Sequence, residues 1–186
     1  MKPDPAAVGK VARRLLDDPL WESLGGEHPA TAVEAMRGWI ERKVPGKGLL
    51  RLFSDGGSHG NPGPSGGGGV ILDVGGTELD RYSLYFGDGT NNTAEYKALL
   101  AGLERLALLK PGEVEIFLDS ELIVRQIEGR YKVKSPALAP LFEEVRRRLA
   151  LFEKVRILHI PREKNGVADG LVQEAIKKGK TGGGGV

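Results

Sequence analysis

Four carboxylates in this chain stand where chemistry is easier to picture than packing: Asp55, Glu95, Asp119 and Asp169. Asp55 closes a short apolar run, Leu49-Leu50-Arg51-Leu52-Phe53-Ser54, and the chain then turns to Gly56-Gly57-Ser58-His59-Gly60-Asn61-Pro62-Gly63-Pro64. Asp119 closes a second run, Val114-Glu115-Ile116-Phe117-Leu118, with Ser120 directly behind it. Runs of this length bounded by turn formers read as strands, so each acid is expected at a strand end, rigidly held yet open to solvent. Glu95 falls in the first turn of an apolar-periodic segment, and Asp169 near the start of the last one. Singly, each has a plainer reading as a turn former, a helix cap or a partner for a helix dipole. Gathered around one sheet edge, four acids repel one another unless cations neutralise them. Two divalent cations about 3.5–4 Å apart do so, and they clamp the attacking and leaving oxygens of an in-line phosphoryl displacement.

Composition narrows the cation. The 186 residues include no cysteine and only three histidines, His28, His59 and His159, spread along the chain. That excludes a disulfide framework and a cysteine zinc site, and disfavours a multi-histidine centre. All-oxygen ligation favours magnesium, with manganese as its substitute. A hydrophobic content of 40% and a charged content of 28% are those of one globular core with room for a small appendage. No apolar run is long enough to span a membrane and residues 1–10 lack a signal-peptide core, so a cytoplasmic protein is expected. A net charge of +2 does not by itself announce nucleic-acid binding.

The elements that must position the acids follow from periodicity. Residues 1–48 read as a small helical extension of unknown role. Val8, Val11, Leu15 and Leu16 form one stripe, and Val33, Met36 and Ile40 a second behind the capping-box pair Thr31 and Glu34. Such short helices make a thin core, so they are expected to pack on the main domain or on a protein partner. From Leu49 strands take over. Gly69 to Val74, the turn Gly75-Gly76 and Thr77 to Phe86 read as a hairpin. The glycines before it, Gly66 to Gly69, read as a strand start where backbones approach closely.

Helices are expected over residues 90–109, 120–127, 136–150 and 167–178, with a fifth strand over 155–160 that holds His159 as a core histidine. Helical crossovers make this an α/β fold: a mixed five-stranded sheet flanked by helices, the later strands parallel to the first. Ligands collect outside the carboxyl ends of such strands, which brings Asp55 and Asp119 to one site. Residues 49–178 form the catalytic domain in this reading, and the glycine-rich tail 179–186 is expected to be disordered.

Four segments carry a family resemblance. They are Ser54 to Pro64; Thr90-Asn91-Asn92-Thr93-Ala94-Glu95-Tyr96; Leu118-Asp119-Ser120-Glu121-Leu122-Ile123-Val124 with Gln126 to Gly129; and Pro161-Arg162-Glu163-Lys164-Asn165-Gly166-Val167-Ala168-Asp169. In order and spacing they closely resemble the blocks of type 1 ribonuclease H. The resemblance implies the ribonuclease H-like fold and a two-metal endonuclease that cuts the RNA strand of RNA–DNA hybrids, leaving 5′-phosphate and 3′-hydroxyl ends. It implies that Asp55 bridges both ions, with Glu95 and Asp119 on the leaving-group side and Asp169 holding the site of the nucleophilic water. The loop Gly56 to Gly60 is implied to let main-chain amides approach the 2′-hydroxyls of the RNA, with Gly56, Gly57, Ser58 and Asn61 at the substrate. Asn91 and Asn92 are implied in the minor groove and Thr90 on the DNA backbone, with Ser120 and Arg162 also at the substrate.

Thr93 stands where some members carry an arginine, Glu121 where a glutamine is common, and Arg162 and Lys164 where others place a mobile histidine. Arg130, Tyr131, Lys132 and Lys134 replace a longer basic protrusion, and Lys132 and Lys134 are expected on the nucleic-acid backbone. Arg146, Arg147 and Arg148 read as a solvated helix face. Two other readings stand beside the nuclease: a non-catalytic hybrid-binding protein, and a different nuclease on the same fold. Crowding four acids beside a phosphodiester backbone argues against the binder.

Overall fold

The computed structural model describes residues 48–182. The helical extension expected over residues 1–48 falls outside them, Gly48 excepted. In chain order the elements are β1 (Leu49–Ser58), β2 (Gly63–Leu72), β3 (Glu78–Gly89), α1 (Asn91–Leu109), β4 (Glu113–Leu118), α2 (Glu121–Ile127), α3 (Ala139–Leu149), β5 (Lys154–His159), a 3-10 turn (Arg162–Lys164) and α4 (Gly166–Gly182). The five strands form one sheet in the order β3-β2-β1-β4-β5. The two hairpin pairings, β1 with β2 and β2 with β3, are antiparallel, whereas β1–β4 and β4–β5 are parallel. This is the mixed sheet expected from the helical crossovers.

Glycines in β2 decide how closely helices approach that sheet. A side-chain carbon at Gly68 would lie 2.5 Å from Leu171 Cβ of α4, and one at Gly67 would lie 2.6 Å from Ala98 Cβ of α1. Successive residues of a strand face opposite sides, so this run admits one helix on each face. Glycine in a strand costs conformational entropy, and here the close helix packing offsets it. Ala168, Leu171, Val172, Ala175 and Ile176 of α4 are buried on one face, as the periodicity predicted. Ala94, Ala98, Leu99, Leu103 and Leu106 of α1 are buried on the other. Tyr82 is sealed among them, its hydroxyl 2.8 Å from Ser54 Oγ and 2.9 Å from the Ala98 carbonyl oxygen. Burial holds its phenol far above the ordinary range.

On the α4 side, β1, β4 and β5 present rows of side chains fixed by register. Arg51, Glu115 and Arg156 form the first row, and Phe53, Phe117 and Leu158 the second. The Phe53 and Phe117 rings are stacked with centroids 4.6 Å apart.

Three expectations change. α4 continues to Gly182, past the expected start of the tail at residue 179, and residues 183–186 lie outside the described part. α3 begins at Ala139 rather than residue 136, with Pro140 in its first turn. His159 is exposed, not a core residue, and its Nε2 lies 3.2 Å from the Asp119 carbonyl oxygen. On a sheet edge, a strand residue has no neighbour beyond it to bury it.

Candidate active site

The site exists because β1 outruns β4. The parallel ladder ends at Phe53 and Phe117, but β1 continues to Ser58 paired only with β2. Asp55 therefore does not end its strand, as the sequence suggested. It sits on a ledge, on the face shared with Phe53, where β4 no longer covers its flank. Asp119 follows the last residue of β4 on that same face, so the two acids form the third row above the phenylalanines.

Glu95 and Asp169 arrive from the helices on either side. A carbon added at Gly56 would lie 2.3 Å from the Ala94 carbonyl carbon and 2.4 Å from the Glu95 nitrogen. Glycine there lets the start of α1 rest directly on the strand, which delivers Glu95 beside Asp55. α1 has no acid in its first turn, so Glu95 lies in the second rather than the first. Asp169 is in the first turn of α4, the helix seated on Gly68, which is the β2 partner of Asp55. Asp55, Glu95, Asp119 and Asp169 line one cavity of about 380 Å³.

Their electrostatics are those of acids held together against their preference. Burial, followed by repulsion from Asp119, pushes the Asp55 carboxyl up to about 7, against a Gly56 N–H that donates to it at 2.8 Å. Burial likewise pushes Glu95 up to about 7, with Asp55 and Asp119 adding to the rise and Ser120 opposing it. Ser120 Oγ donates to Glu95 at 3.0 Å. Arg162 is the nearby cation: its Nη2 donates to Asp169 at 2.6 Å.

Among the described residues, no three acidic or imidazole groups converge closely enough to enclose an ion as they stand. The donor set nevertheless suits a hard divalent cation. It offers carboxylate oxygens alone, two of them costly to ionise without a neighbouring positive charge.

The expected substrate residues divide. Gly56, Gly57, Ser58, Asn91 and Arg162 line the same cavity as the acids. Asn61 braces it from behind, its Oδ1 accepting from the Asn91 N–H at 3.2 Å. Ser120 lines the adjoining crevice with Ser54, Glu95 and Ile123. Thr90 does not line the cavity; it is the N-cap of α1, in a reciprocal capping box with Thr93. That also explains why Thr93 is a threonine, since its Oγ1 accepts from the Thr90 N–H at 3.0 Å. Asn92 is half-buried and does not line the cavity, nor do the exposed Lys132 and Lys134. In their loop Tyr131 packs on Arg125, which donates to its hydroxyl at 2.6 Å, and Arg130 pairs with Glu128 at 3.1 Å. Arg147 and Arg148 are engaged by Glu144, and Arg148 also by Glu104 of α1.

One residue escaped the sequence reading. Asn165 is 1% exposed, and its amide nitrogen donates both to the Ser54 carbonyl oxygen at 3.1 Å and to Asp119 Oδ1 at 3.2 Å. It ties the ends of β1 and β4 together beneath the acids, while its own Oδ1 is buried without a protein partner. An asparagine opening a helix reads as a cap, and no local pattern distinguishes a cap from a buried strap.

A five-stranded sheet of this order, with acids from two adjacent parallel strands where their ladder stops and from helices on both faces, defines the ribonuclease H-like class. The model of the reverse transcriptase-like family matches residues 53–175. The chain belongs to that family, in its ribonuclease HI-like branch. It is 39% identical over 126 residues to a bifunctional protein of Mycobacterium tuberculosis, covering 67% of this chain and 35% of the relative. The chain thus spans about a third of the length of the mycobacterial relatives it matches. With ribonuclease HI of Halobacterium salinarum the identity is 36% over 129 residues, covering 69% of this chain and 65% of that one. Among solved structures, LC11-RNase H1 in complex with an RNA/DNA hybrid is 46% identical, with a TM-score of 0.67 over 70% of this chain and 98% of the other.

Proposed function

We propose that this chain is an endoribonuclease that hydrolyses the RNA strand of RNA–DNA hybrids with two divalent cations, magnesium or manganese. The observation that carries the reading is the single cavity that joins four carboxylates to the glycine-rich stretch Gly56 to His59. The likeness to the relative named ribonuclease HI supports the same activity, and the LC11 enzyme bound to a hybrid supports the same substrate class.

Asp55, Glu95, Asp119 and Asp169 would hold the ions. When bound, divalent cations offset the repulsion among the acids and stabilise charge on the attacking and leaving oxygens of a phosphoryl displacement. The protein's part is positioning. Ser120 fixes Glu95, Asn165 fixes Asp119, and the stretch at Gly56 and Gly57, which lines the cavity, offers its main chain to the sugar edge of the RNA, where the 2′-hydroxyl separates RNA from DNA. Water adds at phosphorus, the bond to the 3′-oxygen breaks, and that oxygen takes a proton. The products carry 5′-phosphate and 3′-hydroxyl ends.

Labelled RNA–DNA hybrid, double-stranded DNA and double-stranded RNA, each incubated with magnesium and with manganese, test the proposal. Cleavage confined to the RNA strand of the hybrid is expected. An intact hybrid in both metals would overturn it.

A further inference from the structure

Beside the acids, the same cavity is lined by two side chains that the mechanism leaves unused. His59 comes from the loop after β1 and Gln173 from α4, and His59 Nε2 lies 2.9 Å from Gln173 Oε1. An amide oxygen only accepts, so the ring nitrogen donates and the Gln173 amide nitrogen keeps its own N–H donors. Gln173 stands four residues beyond Asp169, hence on the same face of α4 and displaced along it by about 6 Å. A nucleic-acid strand advances about 3.4 Å per nucleotide. A strand that ran along α4 past the acids would therefore meet the pair one to two nucleotides from the phosphodiester that the acids hold.

The loop that carries His59 is braced for such a task. The His59 N–H donates to the Pro64 carbonyl oxygen at 2.8 Å, and Ser58 Oγ donates to the Gly60 carbonyl oxygen at 2.5 Å. The Ser58 N–H reaches Asn91 Oδ1 at 3.3 Å, which anchors the loop to α1. Beneath it, Val172 of α4 approaches so closely that a carbon at Gly57 would lie 3.2 Å from its Cγ1. Loop and helix thus meet as one wall, with polar side chains directed into the cavity rather than an apolar seam.

We propose that His59 and Gln173 form a subsite for an oxygen acceptor of the RNA strand, one to two nucleotides from the bond that is cut. The acceptor is a 2′-hydroxyl or a phosphate oxygen. This rests on the ribonuclease reading above.

The test uses hybrids whose RNA strand carries a single 2′-deoxy or a single methylphosphonate residue, stepped through the positions around one cleavage site. KM and kcat are measured for the unaltered protein, His59→Ala, Gln173→Ala and the double variant, alongside their melting temperatures. For the unaltered protein, one of the two modifications at one flanking position should raise KM about three- to tenfold, the value of one hydrogen bond. Each variant should show a KM rise of that size on plain hybrid, and indifference to the modification at that position. Which modification is felt identifies the acceptor. Variants that respond to every modified position as the unaltered protein does would reduce the pair to a brace between loop and helix, and overturn the subsite. Failure of the unaltered protein to cut plain hybrid would overturn the ribonuclease reading, and the subsite with it.

Discussion

Two rows of the same sheet face treat acids in opposite ways. In the first, Glu115 accepts from Arg51 at 3.0 Å and forms an ion pair with Arg156 at 2.5 Å, two arginines for one nearly buried carboxylate. Four residues further along the same strands stand Asp55 and Asp119, joined by Glu95 and Asp169, with Arg162 the one arginine or lysine among the described residues that line their cavity. The stacked Phe53 and Phe117 rings separate the two rows. A fold able to neutralise a buried acid within one β-ladder leaves Asp55 and Glu95, at the end of that ladder, with carboxyls raised by burial and by their acidic neighbours. Glu115 serves the sheet. In the proposed function, the four acids serve the cations that would bind among them.

Replacing a member of the upper row should therefore destroy function while sparing the fold. Asp119→Asn is expected to lower hybrid cleavage by about three orders of magnitude, the scale of losing a main electrostatic contributor in a closed site. Its melting temperature should not fall, and hybrid binding without turnover should persist. Near-normal cleavage by this variant would remove Asp119 from the metal site and erase the contrast between the rows.

The contrast should also be visible in pH dependence without metal. Asp55 and Glu95 are raised in the fold to about 7 from ordinary values of 3.8 and 4.5. Where the folded value is the higher one, the fold retains a proton that the unfolded chain has already released. That contribution is complete below the ordinary values and is lost as pH rises through about 7. In EDTA, denaturant midpoints should thus decline between pH 5 and pH 8, and Asp55→Asn should flatten the decline and raise the midpoint at pH 8. Magnesium should restore stability at pH 8, because it binds the folded state only. A midpoint that is flat or rises over this range in EDTA would show that these acids are not strained.

Much of this was legible from residue types alone. The order of strands and helices, the mixed sheet and the gathering of four acids follow from apolar runs that end on carboxylates. What escaped depends on distances between segments remote in sequence. Nothing near Asp55 signals that β1 continues to Ser58, because a Gly-Gly-Ser stretch reads as a turn until β2 pairs with it. Asn165 reads as a helix cap, and its bond to Ser54 appears only once α4 is seated on β2.

The spacing between rows and helices can be broken by one methyl group. Gly56→Ala places a carbon on the Ala94 carbonyl, so α1 must lift away from β1. Overpacking of this kind costs about 1–3 kcal/mol, and moving Glu95 by about 1 Å can cost a further hundredfold in rate. The variant should lose both stability and cleavage, unlike Asp119→Asn. Loss of neither would show that α1 yields without moving the acid.

The mildest change probes the compensated row. Glu115→Gln preserves shape and removes the charge that two arginines share. The half-exposed arginines recover part of their solvation in water, so the loss should stay near that of charge-assisted hydrogen bonds, about 1–3 kcal/mol in a denaturant titration. Cleavage should be retained, since Phe53 and Phe117 stand between this position and Asp119. The effect should also shrink in high salt, which weakens the more exposed Arg156 contact before the Arg51 one. If Glu115→Gln instead cut kcat as deeply as Asp119→Asn, the two rows would be one electrostatic unit, and the stacked rings would not insulate the site from the sheet beneath it.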